Sequence, residues 1–217
     1  MRVPPDLLAG YRRFREDSFA REAGRYRALA STQNPRTMVI GCADSRVDPA
    51  TIFSAAPGEL FIVRNIAALV PPFEETGTYH GTSAAIEFAV TSLNVENIVV
   101  LGHGMCGGIA AALAAAEQRP VGRFVKPWVE LIAGSRDELL DRAEPAHPEA
   151  RQKALERMAI QVSLHNLTTF PFVSDALKGD LLALHGAWFS IANAELRWLE
   201  WDTGVFEHID ISNGGLK

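Results

Sequence analysis

A His and a Cys stand three residues apart in Gly102-His103-Gly104-Met105-Cys106-Gly107-Gly108, between an apolar run, Ile98 to Leu101, and an alanine-rich helical pattern from Ile109. The pattern predicts a strand, a glycine-rich turn and a helix. An imidazole nitrogen and a thiolate at this spacing can enter one metal ion's coordination sphere, and the helix N-terminus beyond them helps stabilise the thiolate. The other cysteine of the chain, Cys42, closes a second apolar run, Thr37 to Gly41, and opens Cys42-Ala43-Asp44-Ser45-Arg46. Both cysteines therefore fall just past the carboxyl end of a predicted strand, the edge at which open α/β sheets bind ligands. Cys42, His103 and Cys106 make a three-ligand set with one position left for water, which is the catalytic zinc pattern rather than the closed four-ligand structural one.

Alternate residues of an extended segment share a face, so Cys42, Asp44 and Arg46 would point the same way. Such a metal can turn water into a nucleophile at neutral pH. Two thiolates offset the ion's charge, so the water here is a weaker acid than in three-histidine sites and needs help. Asp44 is placed to accept a hydrogen bond from the activated hydroxide, while Arg46 clamps the carboxylate and keeps it ionised. The plainer alternative for this pair is a helix-capping Asp beside a surface Arg.

Cys-x-Asp-x-Arg followed later by Gly-His-x-x-Cys-Gly-Gly resembles the β-class carbonic anhydrases. Pro57 to Ala67, Gly81 to Val90, Ser163-Leu-His-Asn-Leu167 and Leu184-His-Gly186 also resemble that family, so the likeness spans nearly the whole chain. It implies a zinc enzyme that interconverts carbon dioxide and bicarbonate, with Cys42, His103 and Cys106 as metal ligands and Asp44 and Arg46 as the catalytic pair. It further implies that Phe61, Ile66 and Phe88 line an apolar substrate pocket with Gly104, and that Gln33 donates a hydrogen bond to substrate oxygen. Gln33 matches a subgroup in which the motif Asp stays off the metal, and Val39 stands where the self-capped subgroup has Trp. Phe88 departs from the Tyr usual beside such a Gln. The resemblance also implies a homodimer or higher homo-oligomer, with the N-terminal helix packed on a second subunit.

The length of 217 residues suits a single domain with an N-terminal helical arm over about residues 1–30, and 47% apolar residues suffice for a buried sheet. No apolar run approaches the roughly 20 residues of a membrane span, and the arginine-rich N-terminus has no signal-peptide core, so the expected location is cytoplasmic. A net charge of −5 argues against nucleic acid as a partner. The seven Arg of residues 1–30 are interleaved with four acids and read as a solvated helix face.

Leu7 to Leu29 carries a broken amphipathic helix pattern; Thr82 to Leu93, Pro127 to Arg142 and Pro148 to Thr169 read as further helices. Leu60 to Val63 reads as a strand, and Leu181 to Ile191 and Glu195 to Trp201 as two strands joined through Ala192-Asn193. Strands alternating with crossover helices predict a central, mainly parallel sheet flanked by helices, with one extra strand at an edge. His80, His147, His165, His185 and His208 are not assigned to the metal; His165 and His185 read as core histidines.

Two alternatives share the metal motif: a carbon disulfide or carbonyl sulfide hydrolase, and a non-catalytic zinc-binding module. The turn from Gly102 to Gly108 would suit phosphate at a helix N-terminus. It lacks the Lys-Ser/Thr of a P-loop, and Ala112 stands where a cysteine phosphatase needs Arg.

Overall fold

The computed structural model describes residues 3–77, 80–142 and 147–209. Its centre is a six-stranded sheet in the order β2-β1-β3-β4-β5-β6. The strands are β1 (Thr37–Cys42), β2 (Leu60–Asn65), β3 (Asn97–His103), β4 (Ala183–Ser190), β5 (Glu195–Leu199) and β6 (Phe206–His208). The first four are mutually parallel, and β5 and β6 add on antiparallel. The sheet thus ends in two antiparallel edge strands where the sequence reading expected one. Three-residue β6 follows the Gly204 turn and is too short to show a period.

Nine α-helices are described: α1 (Pro5–Arg13), α2 (Phe19–Leu29), α3 (Pro49–Ile52), α4 (Gly81–Glu87), α5 (Gly107–Ala116), α6 (Val125–Val129), α7 (Ala133–Asp141), α8 (Pro148–Leu167) and α9 (Pro171–Lys178). Short α3 and the eight-residue α9 were not expected. Each starts with Pro in its first turn, where the missing N–H costs nothing. The break between the helices expected over Pro127 to Arg142 and Pro148 to Thr169 lies mostly outside the described residues.

Strands β1 and β3 are buried on both faces, as parallel strands covered by helices must be, which explains their unbroken apolar runs. On one face Met38, Ile40, Ile98 and Val100 pack with Ile86, Ile160 and Leu164. On the other, Val39, Val99, Leu101 and Ala187 form a smaller cluster. A third cluster, with Ile109, Val129, Ile132, Leu139 and Leu155, surrounds the cysteines. Helix α8 lies close on the sheet because Gly102 has no side chain; a Cβ there would stand 2.7 Å from Ile160 Cδ1. No described helix is long and apolar enough to cross a membrane.

Helices α1 and α2 bury none of their residues in this chain. The aromatics here pack on one another instead, Phe14, between the two helices, edge-on to Tyr26 at 5.7 Å and Phe19 tilted against Tyr26 at 5.3 Å.

Candidate metal centre

Adjacent parallel strands deliver two of the donors. The register that pairs Gly41 with Leu101 brings Cys42 level with the end of β3, where His103 follows. The chain then turns through Met105, a non-glycine residue at φ +55°, and Cys106 takes the N-cap position of α5. Donor atoms of Cys42, His103 and Cys106 all lie within 4.8 Å of one another, and all three residues are buried.

The separations suit one tetrahedral ion. Metal–sulfur bonds of about 2.3 Å set two thiolates about 3.8 Å apart, and Cys42 Sγ and Cys106 Sγ are 3.9 Å apart. Both are free thiols. His103 Nδ1 donates to the carbonyl of Gly104 at 2.9 Å, which leaves Nε2 as the ring's lone-pair nitrogen. Nε2 is buried and has no hydrogen-bond partner among the described residues. An orphaned acceptor aimed between two thiols is what a soft cation satisfies.

The electrostatics agree. The thiol of Cys106 donates to Cys42 and, with His103 close by, draws the Cys42 pKa well below the usual thiol range. The same sharing, together with burial, holds the Cys106 proton far more tightly, although the Gly108 and Ile109 amides of α5 face its sulfur. Burial alone would lower the His103 pKa, but Cys42, the Gly104 carbonyl and Asp44 outweigh it and the net shift is upward. The site thus gathers negative charge that one shared proton only partly relieves; a divalent cation relieves it fully.

Asp44 accepts from Arg46 Nε at 2.9 Å and Arg46 Nη2 at 2.7 Å, and from the Arg46 backbone N–H at 3.0 Å. Those bonds to Arg46 hold the carboxyl pKa well below its ordinary range. Asp44 Oδ2 lies 3.9 Å from His103 Nε2, on the rim of the donor set. The helix-capping role falls to Asp48, which accepts from Thr51 N at 2.9 Å.

Two further groups, one for each donor loop, brace the site and were not singled out for this from the sequence. Arg64 donates to the carbonyls of Cys42 at 2.8 Å, Asp44 at 2.6 Å and Val47 at 3.1 Å. Buried Glu156 accepts from Cys106 N at 3.1 Å. An arginine at a strand end and a glutamate inside an amphipathic helix carry no local sequence signal for such contacts.

A cavity of about 300 Å³ opens beside the donors, lined by Cys42, Ala43, Asp44, Ile66, Gly107, Gly108 and Val125. Ile66 is held there by Asn65, whose side chain brackets Leu69, and by Trp128 Nε1, which donates to the Ile66 carbonyl at 2.8 Å. Gly104 faces the other way, in a hollow behind Arg46, where a Cβ would stand 3.1 Å from Trp188 Cζ2.

Gln33, Phe61 and Phe88 are not brought to this site within the chain. Phe61 pairs in register with Met38, four residues before Cys42, hence about 13 Å down the strand. Phe88 packs tilted against Phe61, with ring centroids 5.9 Å apart, and is 46% exposed. Gln33 is exposed before β1 begins, at the opposite end of that strand from Cys42. His165, expected in the core, is exposed near the end of α8, and His185 is half-buried.

The profile of the family described as "Carbonic anhydrase" matches residues 37–196. Beta carbonic anhydrase 3 of Arabidopsis thaliana is 34% identical over 198 residues, 90% of this chain and 76% of that protein. The β-carbonic anhydrase CcaA superposes with a TM-score of 0.88 at 29% identity, covering 94% of this chain and 98% of that one. One of two tetrameric β-carbonic anhydrases from Sordaria macrospora superposes with a TM-score of 0.76 at 28% identity, covering 89% and 94%.

Proposed function

Since the chain belongs to the β-class carbonic anhydrase family, we propose that it catalyses the reversible hydration of carbon dioxide to bicarbonate and a proton with one zinc ion held by Cys42, His103 and Cys106. The observation that carries the zinc reading is the orphaned His103 Nε2, buried beside two thiols spaced for one tetrahedral ion.

When bound, zinc supplies the Lewis acidity that makes water nucleophilic at neutral pH. Asp44, kept ionised by Arg46, accepts a hydrogen bond from the attacking oxygen and so aims its lone pair at the carbon of carbon dioxide. Arg46 Nη2 also donates to the Met105 carbonyl at 3.2 Å, which ties the Cys42 and Cys106 loops together. Ile66 and Val125 give the cavity an apolar wall suited to a nonpolar triatomic molecule. Both cysteines are free thiols, as ligation requires, and a reducing cytoplasm is the compartment this reading assigns.

Residues 1–217 are read as one domain whose first 30 or so residues form an arm. Gln33, Phe61 and Phe88 remain assigned to substrate, and they reach a metal site only if a second copy brings them there. The reading therefore includes a homodimer or higher homo-oligomer, supported by the unburied aromatics of α1 and α2.

Zinc-loaded protein should hydrate carbon dioxide, with the metal-free protein inactive. Parallel assays with carbon disulfide and carbonyl sulfide separate the sulfur-substrate alternative. A zinc-loaded protein inert toward all three gases would support the non-catalytic module instead.

A further inference from the structure

Glu156, on α8, is 3% exposed and forms no ion pair among the described residues. An isolated buried carboxylate is costly unless its lone pairs are taken up. Three neutral donors take them up here: Cys106 N at 3.1 Å and Gln152 Nε2 at 3.2 Å on Oε1, and Trp188 Nε1 at 3.0 Å on Oε2. Gln152 Nε2 also donates to the Cys106 carbonyl at 3.3 Å. Two side chains one turn apart on α8 thus hold the peptide groups on both sides of one residue.

That residue carries a thiol of the donor set. Its backbone follows Met105, which is at φ +55°, a conformation that a non-glycine residue keeps only when its surroundings impose it. The direction of the Cys106 Cα–Cβ bond, and hence of Sγ, follows from the peptide plane that Glu156 grips. A carboxylate is the group this position needs, because two oxygens accept all three bonds, whereas glutamine would turn an NH₂ toward Trp188 or Gln152. Lys153 and Arg157 lie over the Trp188 ring, at 5.0 and 5.2 Å, and hold the indole against the carboxylate from outside.

We propose that Glu156 is a positioning residue for the metal centre: anchored by Trp188 and Gln152, it orients the backbone of Cys106 and so sets how tightly the site retains its metal. The inference rests on the zinc reading above.

The test is zinc affinity by chelator competition, with the thiolate-to-metal charge-transfer bands of the cobalt(II)-substituted protein as a second readout. Glu156→Gln is expected to bind metal about 10- to 100-fold more weakly, as loss of an outer partner of a ligand does, and to shift the cobalt bands. Adding Trp188→Phe to Glu156→Gln removes a conflicting donor and should recover part of the affinity. Asn166→Ala, which removes a hydrogen bond from α8 to the Val70 carbonyl away from the site, should lower stability and leave affinity and bands unchanged. Folded Glu156→Gln with wild-type affinity and bands, or Asn166→Ala weakening metal as much, would overturn the proposal. If Glu156→Gln does not fold, Trp188→Phe alone decides: a several-fold weaker affinity is expected, and an unchanged one overturns it. A wild type that takes up no metal refutes the zinc reading itself, whereas a zinc-binding wild type matched by its variants refutes only the role of Glu156.

Discussion

Arg46 meets Asp44 through two parallel hydrogen bonds, Nε to Oδ1 at 2.9 Å and Nη2 to Oδ2 at 2.7 Å, and the same Nη2 reaches across to the Met105 carbonyl at 3.2 Å. One guanidinium thus orients the carboxylate and joins the two loops that carry the thiols. Replacing either residue by Ala is expected to lower kcat/KM by about 10²-fold or more. The double variant should be little worse than either single, because residues acting as one unit lose their effect together. Losses that multiply in the double variant would show separate roles. Arg46→Lys should behave nearly like Arg46→Ala, since an ammonium cannot make the two-pronged contact.

Metal stoichiometry checks the donor set. Elemental analysis should find one zinc per chain in the wild type, and Cys106→Ser should lose most of it together with activity. Full occupancy and activity in that variant would remove Cys106 from the ligands.

Arg64 spends its donors on the carbonyls of Cys42, Asp44 and Val47. In this arrangement it acts as a brace for the Asp44 loop, so Arg64→Ala should lower kcat/KM rather than alter the shape of bicarbonate inhibition. The wild type should show no steep cooperative loss of activity as pH falls toward neutrality. Sigmoidal inhibition by bicarbonate, abolished in Arg64→Ala, would mean that Arg64 binds the anion.

Gly108 lets α5 lie against the turn that carries Ile66. A Cβ there would stand 2.7 Å from Ile66 Cγ2, 2.9 Å from Ala67 Cβ and 3.3 Å from the Ala67 backbone nitrogen. Gly108→Ala should therefore cost about 1–3 kcal/mol of stability. Because α5 must move to relieve the contact, metal affinity should also fall, and thermal melts with a chelator titration would record both.

His185 supplies a pH dependence of stability away from the metal. Burial lowers its pKa below the ordinary value of 6.5, while its Nε2 donates to Asn97 Oδ1 at 3.0 Å and its ring lies 5.4 Å from that of Trp198. Between the folded pKa and about 6.5 the unfolded chain binds more protons, so stability rises with pH there. The contribution is fully present above about pH 6.5 and is lost as pH falls through the folded value. His185→Gln keeps a donor for Asn97 without the titration, so its melting temperature should fall less than the wild type's on acidification. Parallel curves for the two proteins would exclude His185 as the source.

The candidate metal donors and the parallel strands that carry them were legible in the chain because both are local. An apolar run stopping at Cys42, and another stopping at His103 with Cys106 three residues on, each specify a strand end and a turn within a dozen residues. The antiparallel edge was read one strand short, since β6 has only three residues. What braces the donors was not legible: Glu156 meets the Cys106 amide across 50 positions of sequence, and Arg64 meets the Cys42 carbonyl across 22. Such contacts exist only once α8 has packed on the sheet and β2 has paired with β1. The tertiary structure also decided which of the expected pocket residues share one site. Ile66 lies beside Cys42, while Phe61 lies about 13 Å down the neighbouring strand. Residue type shows what a side chain can do, but which end of a strand faces which donor is set by register and crossover geometry, and these arise only when distant segments close on one core.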